Sequence, residues 1–455
     1  MRFDIDRQTI NDLELFGKKG EKSVFSLFNY TKSIGGRERL ERMFSNPFTE
    51  IDLIEQRIEI IQGFQNINCG FEIDKECLDF IEYYLTQQNR TNHYSIIDSY
   101  LKAIGYYLKP RNEYYIIQRG IRFLVVLLNE IYDYSIDSEQ TNTSEFLENC
   151  KQIIRKKIES TSLKTVLGLK NRLKLYPHEF GELDYLFRKS ELLNIRDLLE
   201  IIYEIDVFKS ISYAANKHGF TLPVFTNNPN CFYAQELFHP FLENPIPNDF
   251  GFVTDKNVCF LTGPNMAGKS TFLKTVSISI YLSHLGFPVP ASSLKISIFN
   301  GLITTINLSD NINKGYSHFY NEVLRVKYVA ERINQIGNIF VVFDELFRGT
   351  NVKDAYEASL AVISSFSKLK KGVFAISTHI IEVADKLSDN GSVFFKYFEA
   401  NLVNDAPEYN YKIKDGVTDE RIGMYILKKE KVIEIIENSI EYNAQALTRG
   451  KKYWG

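Results

Sequence analysis

Val258-Cys259-Phe260-Leu261-Thr262-Gly263-Pro264-Asn265-Met266-Ala267-Gly268-Lys269-Ser270-Thr271 is the stretch that decides the fold. Its first four residues are a short continuous apolar run, the pattern of a strand buried on both faces. Gly263 to Ser270 then satisfies G-x-x-x-x-G-K-[ST], and Ser270 onward reads as a helix. Strand, glycine loop and helix together make a phosphate loop. Its glycines let the backbone curl so that N–H groups face phosphate oxygens, and the helix N-terminus adds partial positive charge. Lys269 would bridge the outer phosphates of ATP and Ser270 would hold Mg²⁺. A glycine-rich strand–helix turn without a ligand would look similar, so the flanking sequence has to decide.

Two further strands do so. Ile339-Phe340-Val341-Val342-Phe343 leads into Asp344-Glu345. An Asp ending a buried strand beside a phosphate loop is placed to hold the Mg²⁺ shell. The adjacent Glu can polarise an attacking water, work that contributes about 10²–10⁴-fold in general-base catalysis. Val373-Phe374-Ala375-Ile376 leads into Ser377-Thr378-His379. A lone His is commonly a packing residue, but in the order phosphate loop, Asp-Glu, His it is a candidate to bind the γ-phosphate or the attacking water.

The remaining chain divides into two styles. Residues 1–230 show helix after helix, as in the stripe Leu53, Ile54, Ile58, Ile61 and Phe64. From Thr221 to Asp249 the prolines 223, 229, 240, 245 and 247 break helix repeatedly and mark the entry to a new fold. The expected class is therefore mixed: an all-α domain over 1–230, then an α/β P-loop domain over 231–455 closed by a helical segment at Val432–Leu447.

Composition limits the function. At 455 residues, 44% hydrophobic and 24% charged, the chain fits a globular protein of more than one domain. A formal net charge of −3 supplies no global field for nucleic acid, so any such contact must be local. Two basic clusters qualify, Lys151, Arg155, Lys156 and Lys157, then Lys164, Lys170, Arg172 and Lys174. They equally suit a solvated helix face. The five cysteines show no metal spacing, and neither a signal core nor a bilayer-length apolar run is evident. A cytoplasmic location with no membrane contact is expected.

The motif set resembles the MutS family of ABC-type ATPases of DNA mismatch repair. The phosphate loop matches with its Asn265-Met266 pair, and Asp344-Glu345-Leu346-Phe347-Arg348-Gly349-Thr350 resembles the family's Asp-Glu-x-x-Arg-Gly-Thr segment. Gly315 to Glu322 resembles its signature loop, and Pro288-Val289-Pro290-Ala291 its Val-Pro-Ala turn. Tyr411-Lys412-Ile413 with Gly416 and Gly423 resembles its last strand. Thr9 to Leu15, Leu27 to Thr31 and Gly36 to Leu40 resemble the start of its lever domain.

This resemblance implies a helical lever and core followed by an ABC-type ATPase using ATP and Mg²⁺, with Lys269, Ser270, Asp344, Glu345 and His379 in the roles above. It implies a dimer, expected to be a homodimer joined through the C-terminal helical segment, in which Ser317 reaches the γ-phosphate on the other subunit. Arg348 would make a dimer contact or a structural ion pair. The expected target is mismatched or branched DNA, with a possible downstream repair protein. Departures are also visible. The chain opens at the lever, so a short form without the mismatch-reading and connector domains is expected. Phe347 and Ala355 stand where mismatch-repair members usually have Gly, and His284 where they usually have Gln. The rival reading is an ATP-gated dimeric scaffold gripping a protein partner without direct DNA recognition.

Overall fold

The computed structural model describes residues 2–17, 21–66, 72, 74–87, 97, 100, 112–137, 144–171, 175–252, 255–306, 318–403, 406–418, 431–437 and 439. It divides into two compact units. The first comprises residues 1–3, 14–225 and 281–294, and the second 4–13, 226–280 and 295–455.

In the first unit, the described elements from Val24 to His218 are helices. The longest, Leu192–His218, is apolar on nearly every side: Ile195, Leu198, Ile202, Ile205, Phe208 and Ile211 are all buried. A helix buried all round is a central one, and the helices Ile34–Phe44 and Ile51–Asn66 pack against it. Gly36 permits one of these crossings, because a Cβ there would lie 2.4 Å from the Asp206 carboxylate. Asp206 is itself buried and accepts from the Ser33 N–H at 3.0 Å and the Ser33 hydroxyl at 2.8 Å, which fixes the start of the helix Ile34–Phe44. An aromatic cluster of Phe28, Phe44, Tyr281 and Phe287 fills the space beside these helices. Leu53, read as part of the buried stripe, is instead exposed on the helix Ile51–Asn66, while Ile54, Ile61 and Phe64 are buried.

The second unit is built on a seven-stranded sheet. Its order across the sheet is Asp4–Ile5, Gly301–Thr305, Ile339–Phe343, Val373–Ser377, Val258–Thr262, Val393–Val403 and Ala406–Asp415. All neighbours pair parallel except the last two, which are antiparallel. The three apolar runs seen in the sequence are central strands, and every residue in them is buried. Parallel strands need crossover connections, and the helices Lys269–His284, His318–Ile336 and Val352–Phe366 follow three of these strands in the chain. The fold is thus mixed α/β with a largely parallel sheet.

The edge strand Asp4–Ile5 comes from the far end of the sequence. Asp4 pairs with Arg332 and Asp6 with Arg325. Downstream, the Asp12 carboxylate accepts from the Thr304 hydroxyl at 2.8 Å and the Ile306 N–H at 2.9 Å. Residues 4–13 therefore cover one flank of the sheet and close an edge that would otherwise present open backbone groups.

Candidate functional site at the phosphate loop

Ligands in open parallel α/β sheets bind at the carboxyl ends of the strands. Three neighbouring strands end together here: Val258–Thr262 runs into the glycine loop, Val373–Ser377 lies beside it, and Ile339–Phe343 lies next. The loop takes backbone angles that glycine favours, with φ of 140° at Gly263 and 100° at Gly268. At Gly263 a side chain is excluded by distance as well, since a Cβ would sit 2.8 Å from the Phe398 carbonyl oxygen. Met266 holds φ 69° without being glycine and leaves its side chain 76% exposed at the loop tip.

Lys269 begins the helix Lys269–His284, and its side chain folds back over the loop. Its ammonium donates to the carbonyls of Gly263 at 2.8 Å and Pro264 at 3.0 Å. Burial pulls its pKa below that of an ordinary lysine, while Asp344 and Glu345 act in the opposite direction. A ligand anion at the loop would offer this buried ammonium a stronger partner than two carbonyls.

Ser270, Asp344 and Ser377 form one hydrogen-bonded chain. The Ser270 hydroxyl donates to one oxygen of Asp344. The Ser377 hydroxyl donates to the other at 2.5 Å and accepts from the Glu345 N–H at 2.9 Å. Among the described residues no group of three or more His, Cys, Asp and Glu is arranged to hold a metal. Ser270 and Asp344 offer a hydroxyl and a carboxylate, hard oxygen donors that suit Mg²⁺ when phosphate and water oxygens complete its shell.

Glu345 lies at φ 58°. One carboxylate oxygen bonds His379 Nε2 at 2.7 Å and the other accepts from Arg348 Nη1 at 3.1 Å. The hydrogen bond from His379 is the main reason its carboxyl is held down at about 2, with Arg348 assisting against the effect of burial. Glu345 is therefore a fixed anion beside the loop. Arg348 makes an ion pair with it, one of the two roles the sequence left open. Its backbone N–H and that of Gly349 donate to the buried Glu322 carboxylate, both at 3.2 Å, and this anchors the segment after the strand.

The structure thus brings Lys269, Ser270, Asp344, Glu345 and His379 together at one end of the sheet. Ser317 and Gly423 lie outside the described residues, whose nearest helix opens at His318. Of the closing segment, residues 432–437 are helical, and beyond 439 it also lies outside them.

Sequence reasoning missed two features. Ser377 was visible only as a strand end, and its bond to Asp344 needs the two strands to be neighbours. A cavity of about 360 Å³ beside the loop was also missed. It is lined by Ile246, Met266, Gly268, Thr271, Phe272 and Tyr411 among others. Asn248 holds two of its walls together, donating to the Tyr411 carbonyl at 3.0 Å and accepting from the Ile413 N–H at 2.8 Å. Pro245, read as a helix breaker, is part of this wall.

The basic clusters prove largely committed to internal contacts. Lys151 is buried, with its ammonium on the Asp137 carbonyl and over the Tyr134 ring. Arg155 donates to the Ser135 carbonyl, Lys157 pairs with Asp197 and Lys170 with Glu130. Lys156 and Lys164 are exposed, and residues 172–174 lie outside the described set. No helix among the described residues is long and apolar enough to cross a membrane.

Comparison with known proteins places this site in a family. Residues 259–448, which hold the loop and all three strand ends, match the family model "MutS domain V". The chain is 28% identical over 374 residues to the DNA mismatch repair protein MutS of Petrotoga mobilis, covering 79% of this chain and 44% of the relative. It is 26% identical over 388 residues to that of Carboxydothermus hydrogenoformans, covering 78% and 44%. Against that of Ehrlichia ruminantium it is 26% identical over 399 residues, covering 84% and 46%. The chain spans less than half the length of these relatives. Similarity to these MutS proteins thus extends beyond the phosphate loop, over the helical unit as well as the sheet.

Proposed function

We propose that this protein is a Mg²⁺-dependent ATPase whose nucleotide cycle serves DNA mismatch repair or a related repair or recombination process. The loop Gly263–Thr271 and Lys269 would hold the phosphates of ATP. Ser270 and Asp344 would hold the metal, which would supply charge to offset what develops during phosphoryl transfer. The adenine would lie in the cavity against Tyr411.

The single observation behind this reading is the chain Ser270–Asp344–Ser377 at the base of the loop, with Glu345 and His379 beside it. Glu345 at about 2 is ionised at every physiological pH, and so fixed it orients a water better than it removes a proton. Its two oxygens face His379 and Arg348 in the present arrangement. Movement of Arg348 to another anion would free one oxygen and raise the basicity of Glu345. His379 would then pass between Glu345 and the γ-phosphate or its attacking water.

In this reading residues 1–230 form the helical core and lever domain and residues 231–455 the ATPase domain. Two copies close on ATP, Ser317 completes the partner's site, and the C-terminal helical segment holds the dimer together in the cytoplasm. DNA, mismatched or branched, is the proposed target, and a downstream repair protein would read the nucleotide state. The relatives are mismatch repair proteins, which favours DNA over a purely protein-gripping scaffold.

Binding to duplex, mismatched and branched DNA, titrated with salt in the presence of ATP, tests the DNA part. Affinity should fall with salt at a log–log slope of about −0.9 per phosphate contacted. No binding at low salt to any of the three would remove DNA from the proposal.

A further inference from the structure

We propose that the helical unit carries a second ligand site, a pocket beside the packed rings of Tyr30 and Tyr213 that takes a nucleoside phosphate, either free or within a single nucleic-acid strand. The pocket has a volume of about 390 Å³ and is lined by Tyr30, Lys32, Asp206, Lys209, Ser210 and Tyr213. It is wholly built from the first unit and owes nothing to the phosphate loop.

The residues come from one face of one helix and one turn. Asp206, Lys209, Ser210, Tyr213 and Lys217 fall at i, i+3, i+4, i+7 and i+11 of the helix Leu192–His218, which puts them on a single stripe. The turn after the helix Val24–Phe28 supplies Tyr30 and Lys32. Hydrogen bonds fix the floor. Ser210 accepts from the Tyr30 N–H at 2.7 Å and donates to the Phe28 carbonyl at 2.6 Å. Asp206 accepts from the N–H groups of Lys32 and Ser33, each at 3.0 Å, and from the Ser33 hydroxyl. Its negative charge is thereby committed to the start of the helix Ile34–Phe44 and does not set the character of the cavity.

The wall beside this floor is aromatic and cationic. The Tyr30 and Tyr213 rings meet edge to face with centroids 4.8 Å apart, and Tyr213 is 53% exposed. The Lys217 ammonium lies 4.7 Å from the Tyr30 centroid and 5.8 Å from that of Tyr213. Lys32 is exposed at the rim. His218 Nε2 lies 3.2 Å from the Tyr30 hydroxyl and holds that ring in place. Tyrosine rings with ammonium groups beside them, on a floor whose polar groups are satisfied, match a planar base joined to a phosphate. A purely apolar ligand would leave the lysines unused, and a bare anion would leave the rings unused.

The test uses the full chain with two probes, thymidine 5′-monophosphate and a 5′-phosphorylated deoxythymidine hexanucleotide, followed by fluorescence anisotropy and competition. Binding of the hexanucleotide should weaken with salt at a log–log slope of about −0.7 per phosphate neutralised. Tyr213→Ala and Lys217→Glu should each weaken it by about tenfold or more, and Tyr213→Phe should retain it. Both substituted side chains are exposed, so circular dichroism should stay unchanged. If Lys217→Glu fails to fold, Tyr213→Ala decides alone. Competition by the monophosphate would identify a free nucleotide as the ligand. Binding of the hexanucleotide alone would identify a strand. Absence of binding by both probes at low salt, or wild-type binding in the substituted chains, would overturn the proposal. ATP turnover in the same variants should match wild type, so the outcome is separate from the phosphate-loop reading.

Discussion

The Ser377 hydroxyl donates to Asp344 at 2.5 Å while Ser270 donates to the opposite oxygen of the same carboxylate. Ser377 ends the strand beside the phosphate loop, and Asp344 directly follows the next strand out. The hydroxyl thus aims a carboxylate from the second neighbour toward the loop. Groups that orient a metal ligand typically contribute 10- to 100-fold in metal affinity or activity. Ser377→Ala should therefore raise the Mg²⁺ concentration needed for ATP hydrolysis by about that factor. A Mg²⁺ titration of turnover checks this, and an unchanged midpoint would remove Ser377 from the account.

His379 is the main cause of the depressed Glu345 pKa. His379→Ala should lower ATP turnover and move the acid limb of its pH profile upward, toward the ordinary carboxylate range. The sign follows from the folded value of about 2 against the ordinary value of 4.5. The wild-type carboxylate stays ionised as pH falls through 4.5, so its contribution to stability is present above 4.5 and is lost on approach to 2. Rate measurements between pH 4 and 8 on both chains would show the shift.

Phe347 occupies φ 58°, a region glycine enters freely and a bulky side chain enters at a cost of about 1–2 kcal/mol. Its ring is nevertheless buried, 5.6 Å from that of Phe319. Phe347→Gly relieves the backbone but deletes a buried phenyl group, a loss of about 3–5 kcal/mol. The net effect should be destabilisation by about 2–3 kcal/mol in urea unfolding. A more stable variant would show that the ring contributes little.

His284 is fully buried, and its Nδ1 donates to the Phe48 carbonyl at 2.7 Å. Burial lowers its pKa to about 4. Above pH 6.5 the imidazole is neutral in both folded and unfolded chains. Between 6.5 and 4 the unfolded chain binds a proton that the folded one excludes, so stability falls as pH falls, by roughly 2–3 kcal/mol at pH 4.5. His284→Gln keeps a donor for Phe48 but loses the ring contact with Phe3 at 4.5 Å. It should cost about 1–2 kcal/mol at pH 7 and flatten the melting temperature between pH 7 and 4.5. An equally steep profile in the variant would place the titrating group elsewhere.

The parts legible in the sequence are those fixed by local spacing. The loop 263–270, the strand runs before Asp344 and Ser377, and the position of His379 all follow from a few adjacent residues. The parts that escaped depend on distant residues meeting. Nothing in Asp4-Ile5 announces a strand, because its partner is Gly301–Leu302 and the charge of Asp4 is met by Arg332. Asn248 reads as a loop residue until it is seen clamping Tyr411 and Ile413. Lys151 reads as a surface cation, and only the packing of the helix Glu145–Glu159 shows that it is buried. Spacing gives the periodicity of a helix but not which neighbour will cover its charged positions.

The most direct measurement is Mg²⁺-dependent ATP turnover by the full chain and by its Glu345→Gln variant, with nucleotide binding measured in parallel. The amide keeps the shape of the side chain and removes the negative charge that His379 and Arg348 hold in place. The variant should bind ATP and Mg²⁺ with little change while turnover falls by about 10²–10⁴-fold. Turnover equal to wild type would contradict this, because Glu345 would then have no part in hydrolysis.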